Sequence, residues 1–217
     1  MNLEQVLRFV WVTGLPGSGK GAFIELLRPM LEARGIATRY YSLSDELRDE
    51  ARRRGVAVSR PTLRAIANEL RLEHGSGVLS LLVVTKMRQE ISPLPDDLPL
   101  VAIVDAIRNP EEVTYLQREL APCFDLVAVE APLEILVNRI AARARFDEPD
   151  EFVRQKDAAR KMILGEAGKD EPAHGHDIQT CIDMADWKID NSTSLAVLSA
   201  GTEAYVAARI PVATRRI

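Results

Sequence analysis

Two cysteines in 217 residues, Cys123 and Cys181, stand far apart and outside any C-x-x-C spacing. That count argues against a disulfide framework and a structural zinc site, and makes a reducing cytoplasm the expected compartment. Aromatic residues are 5% of the chain and nowhere interleave with a basic cluster, so no platform for single-stranded nucleic acid is present. A basic excess is missing too: 28 Lys and Arg face 32 Asp and Glu, and the formal charge of −4 opposes binding along a duplex. Long apolar runs are absent; Val78 to Val84 is interrupted by Ser80 and is far too short to span a bilayer. The first residues carry Glu4 and lead directly into a strand-like segment, a pattern unlike a signal peptide. What remains, 47% hydrophobic and 28% charged, is the balance of one globular domain able to bury its own core.

Strand-like and helix-like segments alternate along the chain. Arg8 to Thr13 is apolar and β-rich and is closed by Gly14. From Ser18 to Arg34, Phe23, Leu26, Leu27, Met30 and Leu31 recur at helical spacing, with Gly35 placed to end the helix. Further strands are expected at Ala37–Ser42, Leu100–Asp105, Leu126–Glu130 and Trp187–Asp190. Helices are expected at about Asp45–Arg54, Pro61–His74, Gly77–Glu90, Pro132–Arg145, Glu151–Leu164 and Ser194–Ile210. Asn109-Pro-Glu-Glu112 reads as a helix start: a capping side chain, a proline suited to the first turn, and two acids at the positive end of the dipole. The proline-bearing stretch Ser92–Pro99 reads as loop, and Gly165–His176, polar and glycine-containing, as a mobile loop that closes over a bound nucleotide. Apolar strands separated by helices predict an α/β fold of three layers, with a five-stranded, mainly parallel sheet. Ligands on such sheets bind beyond the carboxyl ends of the strands, which makes Thr13, Asp105 and Glu130 candidates by position.

The strongest chemical signal is Gly14-Leu-Pro-Gly-Ser-Gly-Lys20, a G-x-x-x-x-G-K pattern between a strand and an amphipathic helix. Glycines let the backbone turn tightly enough for successive N–H groups to face one phosphate. The helix that follows adds its positive end, and Lys20 adds a full charge. Gly14, Pro16, Gly17, Ser18, Gly19, Lys20, Gly21 and Ala22 are therefore the expected ATP-binding residues. A Ser or Thr usually follows the lysine as a Mg²⁺ ligand; here Gly21 and Ala22 stand there, and neither carries a hydroxyl. Mg²⁺ would then rest on phosphates, water and a carboxylate, for which Asp105 is the candidate, acting through water. A turn or cap at the end of its strand is the plainer account of Asp105.

Gly-Lys-Gly without a hydroxyl resembles the adenylate-kinase-like nucleoside monophosphate kinases. Other segments resemble that family in the same order. Ser44-Asp-Glu-Leu-Arg48 is similar to the segment whose arginine grips the acceptor phosphate. Val104-Asp-Ala-Ile-Arg108 is similar to its D-G-x-x-R segment, with Ala106 in place of the glycine. Asn138-Arg-Ile-Ala-Ala-Arg143 is similar to the start of the lid, whose arginines lie on the adenine and the transferring phosphates. Ala185 to Asn191 resembles the closing strand of dephospho-CoA kinases. Arg60 to Met87, with Glu69, Arg71 and Gly75, resembles archaeal adenylate-kinase-like proteins often labelled dephospho-CoA kinase. The resemblance implies one P-loop kinase domain over 1–217, its core at about 1–44 and 98–217. A helical acceptor-binding insert would span about 45–91, and lid and loop regions about 139–176.

On that basis the resemblance implies roles for Lys20, Asp105, Arg108 and Arg143 in catalysis and for Arg139 at the nucleotide. Asp45, Arg48, Arg71 and Arg108 would hold the acceptor. The plainer alternatives stay open. Arg48 lies among Asp45, Asp49, Glu50, Arg52 and Arg53 and could belong to a solvated ion-pair face. Arg139 and Arg143, one helical turn apart, could pair with Asp147 or Glu148. His174 and His176 are thin grounds for a metal site. Trp11 and Trp187, in strands, are expected in the core, as are both cysteines as small buried groups. The function expected is transfer of the γ-phosphoryl group of ATP to a small-molecule acceptor. A nucleoside or deoxynucleoside monophosphate is the first choice and dephospho-CoA the alternative. An ATP-binding regulatory switch is the alternative of another class.

Overall fold

The computed structural model describes residues 6–91, 98–142, 156–168 and 174–211. Five strands form one sheet: β1 (Val6–Thr13), β2 (Ala37–Ser42), β3 (Leu100–Asp105), β4 (Phe124–Glu130) and β5 (Trp187–Asp190). Their order is β2-β3-β1-β4-β5, and every neighbouring pair is parallel. The helices among the described residues are α1 (Lys20–Glu32), α2 (Leu43–Arg53), α3 (Arg60–His74), α4 (Val78–Ile91), α5 (Pro110–Leu120), α6 (Leu133–Ala141), α7 (Lys156–Glu166), α8 (Ile178–Asp183) and α9 (Leu195–Arg209). This is the three-layer architecture that the strand–helix alternation predicts, with a wholly rather than mainly parallel sheet.

The strands are apolar because both faces of the sheet are covered. Phe9 and Trp11 of β1 and Leu100, Ala102 and Val104 of β3 face one core, shared with α2, α3, α4, α5 and Cys181 of α8. The alternate residues, Val10 and Val12 of β1 with Val101 and Ile103 of β3, face a second core built with α1 and α9. Smaller clusters join α6 to α7 and seat α8 against Ala128. At the amino end of β4 the fully buried Asp125 accepts hydrogen bonds from Tyr205 (3.1 Å) and Arg209, with Arg8 at 3.4 Å, tying the last helix to the sheet.

Among the boundaries that differ from expectation, two lie beside the crevice. α2 begins at Leu43, directly after β2, because Leu43 and Leu47 pack into the first core and Ser42 serves as the extended residue before the helix. The segment expected as a mobile loop from Gly165 instead opens with the last turn of α7, which ends at Glu166; Gly175 and His176 are buried, and α8 follows at once. The expected helix about Asn109 is capped as its sequence dictates, with Asn109 Oδ1 accepting from Glu111 N at 2.9 Å. No helix among the described residues is long and apolar enough to cross a membrane.

β1 and β3 are neighbours, yet α1 and α5, which leave their carboxyl ends, pack on opposite faces of the sheet. The connections therefore diverge, and a crevice opens above β1 and β3. Asp105, at the end of β3, lies in register with Val12 of β1 and Ser42 of β2. The glycine-rich loop leaves from the next residue of β1.

Candidate active site

The loop between β1 and α1 is held from behind. Ser18 is buried, and its carbonyl accepts from Asn191 Nδ2 at 2.7 Å. Arg139 donates to Gly17 O (3.3 Å) and Asn191 O (2.8 Å), so α6 and the end of β5 brace the same turn. The glycines are required by contact as well as by dihedral angle. Gly14 has φ +143, and a Cβ there would fall 2.4 Å from Val129 O; Gly19 has φ +102, and its Cβ would fall 2.1 Å from Asn191 Nδ2. Lys20 Nζ donates to Gly14 O at 2.7 Å, which keeps the ammonium at the mouth of the loop. Gly21 differs: its φ is ordinary, and a Cβ would meet open space.

Loop and arginines share one cleft of about 630 Å³. Lys20, Arg48, Arg60, Arg64, Arg71 and Arg108 line it against the carboxylates Asp105, Glu112 and Glu166. An acidic chain thus gathers an excess of positive charge in one place, as an anionic ligand requires. Tyr40, Leu43, Leu47, Leu63 and Leu79 give part of the wall an apolar surface. Asp105 Oδ1 is buried without a hydrogen-bond partner among the described residues. A water on a bound cation would satisfy that orphan oxygen, so Asp105 fits the Mg²⁺ role. No group of three or more His, Cys, Asp or Glu side chains that could hold a metal ion occurs among the described residues.

Arg71, Arg108 and Arg60 are held by acids to which the sequence pattern assigns no site role. Arg71, 3% exposed, donates through Nε (3.2 Å) and Nη2 (2.8 Å) to Oε1 of the buried Glu112. Arg108 Nη1 lies 2.8 Å from Glu166 Oε2, His176 Nδ1 is 3.3 Å from the same oxygen, and Arg60 is 3.7 Å from Oε1. Burial alone would raise the Glu166 carboxyl; Arg108, His176 and Arg60 outweigh it and hold its pKa well below the ordinary value. Burial pushes the His176 imidazole down, with Arg108 acting in the same direction and Glu166 against it. The connection around Arg108 is fixed too: Asp177 N donates to Arg108 O at 2.7 Å, and Asn109 Nδ2 to Gly175 O at 2.8 Å.

Of the residues singled out from the sequence, Gly14, Pro16, Gly17, Gly19, Lys20, Gly21, Arg48, Arg71, Asp105 and Arg108 all line this cleft. Ser18 is the loop residue that Asn191 holds, Arg139 supports the loop from behind, and Ala22 packs against the core beneath α1. Asp45 does not reach the cleft wall; it is exposed and pairs with Arg48 at 2.8 Å, so Arg48 has both the ion-pair partner and the cleft position. Arg143, Asp147 and Glu148 lie outside the described residues. Thr13 Oγ1 is spent on Ile107 O, and the Glu130 carbonyl receives Asn191 N. Trp11 is fully buried, while Trp187 is half-buried against Tyr205. Cys181 is buried and its thiol pKa is raised by that burial; Cys123 is half-buried.

Two predictions follow from this geometry. Gly19→Ala should lower unfolding stability by about 2 kcal/mol or more, through left-handed strain and collision with Asn191. Gly21→Ala should raise it by roughly 0.5–1 kcal/mol, because only the unfolded chain loses freedom; urea unfolding of the two variants reads the opposite signs. The second concerns pH. The folded pKa values of His176 and Glu166 both lie below their ordinary 6.5 and 4.5, so the unfolded chain binds more protons on acidification. Their contribution to stability is present above those values and should fall as pH drops below about 6.5 and then below about 4.5. Glu166→Gln should flatten the lower limb of the urea midpoint plotted against pH.

No family model matches the chain. The UPF0200 protein of Hyperthermus butylicus is 32% identical over 189 residues, covering 86% of each chain. The UPF0200/UPF0201 protein of Archaeoglobus fulgidus is 29% identical over 195 residues; this chain spans only 53% of its length. Among solved structures, the shikimate kinase of Bacteroides thetaiotaomicron superposes with a TM-score of 0.53 at 13% identity, covering 92% of this chain and 97% of that one. The fold is that of the P-loop kinases. With a sequence relative at that identity along most of both chains, the protein belongs to the UPF0200 family.

Proposed function

We propose that the protein is a P-loop kinase that transfers the γ-phosphoryl group of ATP to a small anionic acceptor of nucleotide type, a nucleoside or deoxynucleoside monophosphate. The observation that carries this reading is the sharing of one cleft by the glycine loop with Lys20 and by an arginine wall rising from α2, α3 and the end of β3. ATP alone needs the loop; a second cationic wall suits a second anion. The apolar residues of α2, α3 and α4 beside that wall offer a surface for the acceptor's uncharged part.

In the reaction the bond from the γ-phosphorus to the β,γ-bridging oxygen breaks as one to an acceptor oxygen forms, and ADP leaves. Such transfer asks the protein for positioning and charge neutralisation rather than covalent chemistry. The loop amides and Lys20 hold the donor phosphates, while Arg48 and Arg108 orient the acceptor. Mg²⁺, held at Asp105 through water, would supply further neutralisation of the phosphate oxygens. Arg139 keeps the loop in shape through Gly17 and Asn191.

Purified protein with ATP and Mg²⁺, offered nucleoside and deoxynucleoside monophosphates, dephospho-CoA and shikimate, should release ADP in proportion to one phosphate-bearing acceptor. Turnover that ignores every acceptor but responds to a protein partner would replace the kinase by an ATP-driven switch. Phosphorylation of shikimate alone would overturn the nucleotide assignment.

A further inference from the structure

We propose that Glu166 is a positioning residue: its carboxylate, at the end of α7, fixes Arg108 so that this guanidinium meets the acceptor's anionic group. The inference rests on the kinase reading above and assigns a residue that reading does not need. Glu166 is 2% exposed, while Arg108 lines the cleft with its side chain about a quarter exposed. Both side chains border the cleft, but the carboxylate is almost wholly covered, so the guanidinium is the one of the pair left open to a ligand. Arg108 is gripped at both ends, by Glu166 at Nη1 (2.8 Å) and by Asp177 N at its carbonyl (2.7 Å).

Two roles are open to a carboxylate in such a place, and they have opposite consequences. It could stand in for the acceptor and be displaced on binding, or it could stay and hold the arginine. Displacement would strip a buried carboxylate of its strongest partner, and a buried charge without compensation is strongly destabilising. His176 Nδ1 at 3.3 Å and Arg60 at 3.7 Å are more distant partners and do not replace a 2.8 Å guanidinium contact. Glu166 therefore stays. A free arginine would have to surrender much of its rotamer entropy when the acceptor arrives; one already held does not, and misplacement by about 1 Å can cost a hundredfold in rate. Because Arg60 belongs to α3, the same carboxylate also ties the helical insert to α7.

The test uses the full chain, Glu166→Gln, Glu166→Asp, Arg108→Ala and the double variant Glu166→Gln/Arg108→Ala. With the acceptor that the panel identifies, Glu166→Gln should raise acceptor KM about tenfold and leave the KM for ATP within about twofold. Glu166→Asp, which keeps the charge, should recover part of the loss. Against an Arg108→Ala background Glu166→Gln should change acceptor KM no further. A fall in acceptor KM would identify a displaced stand-in anion; equal shifts in both KM values, or full additivity in the double variant, would leave a merely structural residue. Either result overturns the proposal. A binding arm needs no turnover: with the loop filled by ADP and Mg²⁺, calorimetric affinity for inorganic phosphate should fall about tenfold in Glu166→Gln. If the wild-type chain phosphorylates nothing, the kinase reading fails while this arm still decides, an unchanged phosphate affinity overturning the proposal and a tenfold loss supporting it.

Discussion

Like charges crowded into one partly dry cleft repel one another, and the folded chain must answer that repulsion before any ligand arrives. Lys20 and five arginines line a single cavity here. Glu112 answers for Arg71, Glu166 for Arg108 and Arg60, and Asp45 for Arg48. The two buried acids matter more than the exposed one, because water screens Asp45 while Glu112 and Glu166 act where the effective dielectric is low. A cleft prepared in this way stays cationic overall and still folds.

The fold supplies the place where that charge can gather. A parallel sheet buried on both faces sends its connections off its carboxyl edge, and the divergence of α1 and α5 from neighbouring strands leaves a gap there. The glycine loop enters the gap from β1 and Asp105 from β3. Bonds inside the loop, Ser18 N to Leu15 O and Lys20 Nζ to Gly14 O, are reinforced from outside it. Asn191, at the end of β5, and Arg139, on α6, reach it from distant parts of the chain, so the closing strand shapes the loop as much as the glycines do.

The glycine loop could be read from sequence because its physics is local: closely spaced glycines, one lysine, a strand before and a helix after. The apolar strands and the Asn109 cap could be read for the same reason. Glu166 could not. Its partner Arg108 is 58 positions away, and its own neighbourhood, polar and glycine-bearing, has the composition of an exposed loop. Only the burial of Ile163 and Ala159 on the same helix reveals that α7 carries its last residue inward. Asn191 closes the segment from Ala185 that resembles a closing strand, yet its amide acts on Ser18 across 173 positions, a separation no local pattern encodes. Arg71 illustrates a middle case: the residue was legible as a candidate, while its near-complete burial against Glu112 depends on how α3 and α5 pack.

Everything depends on the loop gripping a polyphosphate, and one titration addresses that directly. Calorimetric binding of ATP with Mg²⁺ to the wild-type chain and to Lys20→Ala compares the cradle with and without its ammonium. Loss of a charge-assisted contact to phosphate should weaken affinity roughly ten- to a hundredfold while leaving the chain folded. Equal affinity in the two proteins, or no measurable binding to the wild type, would contradict the account.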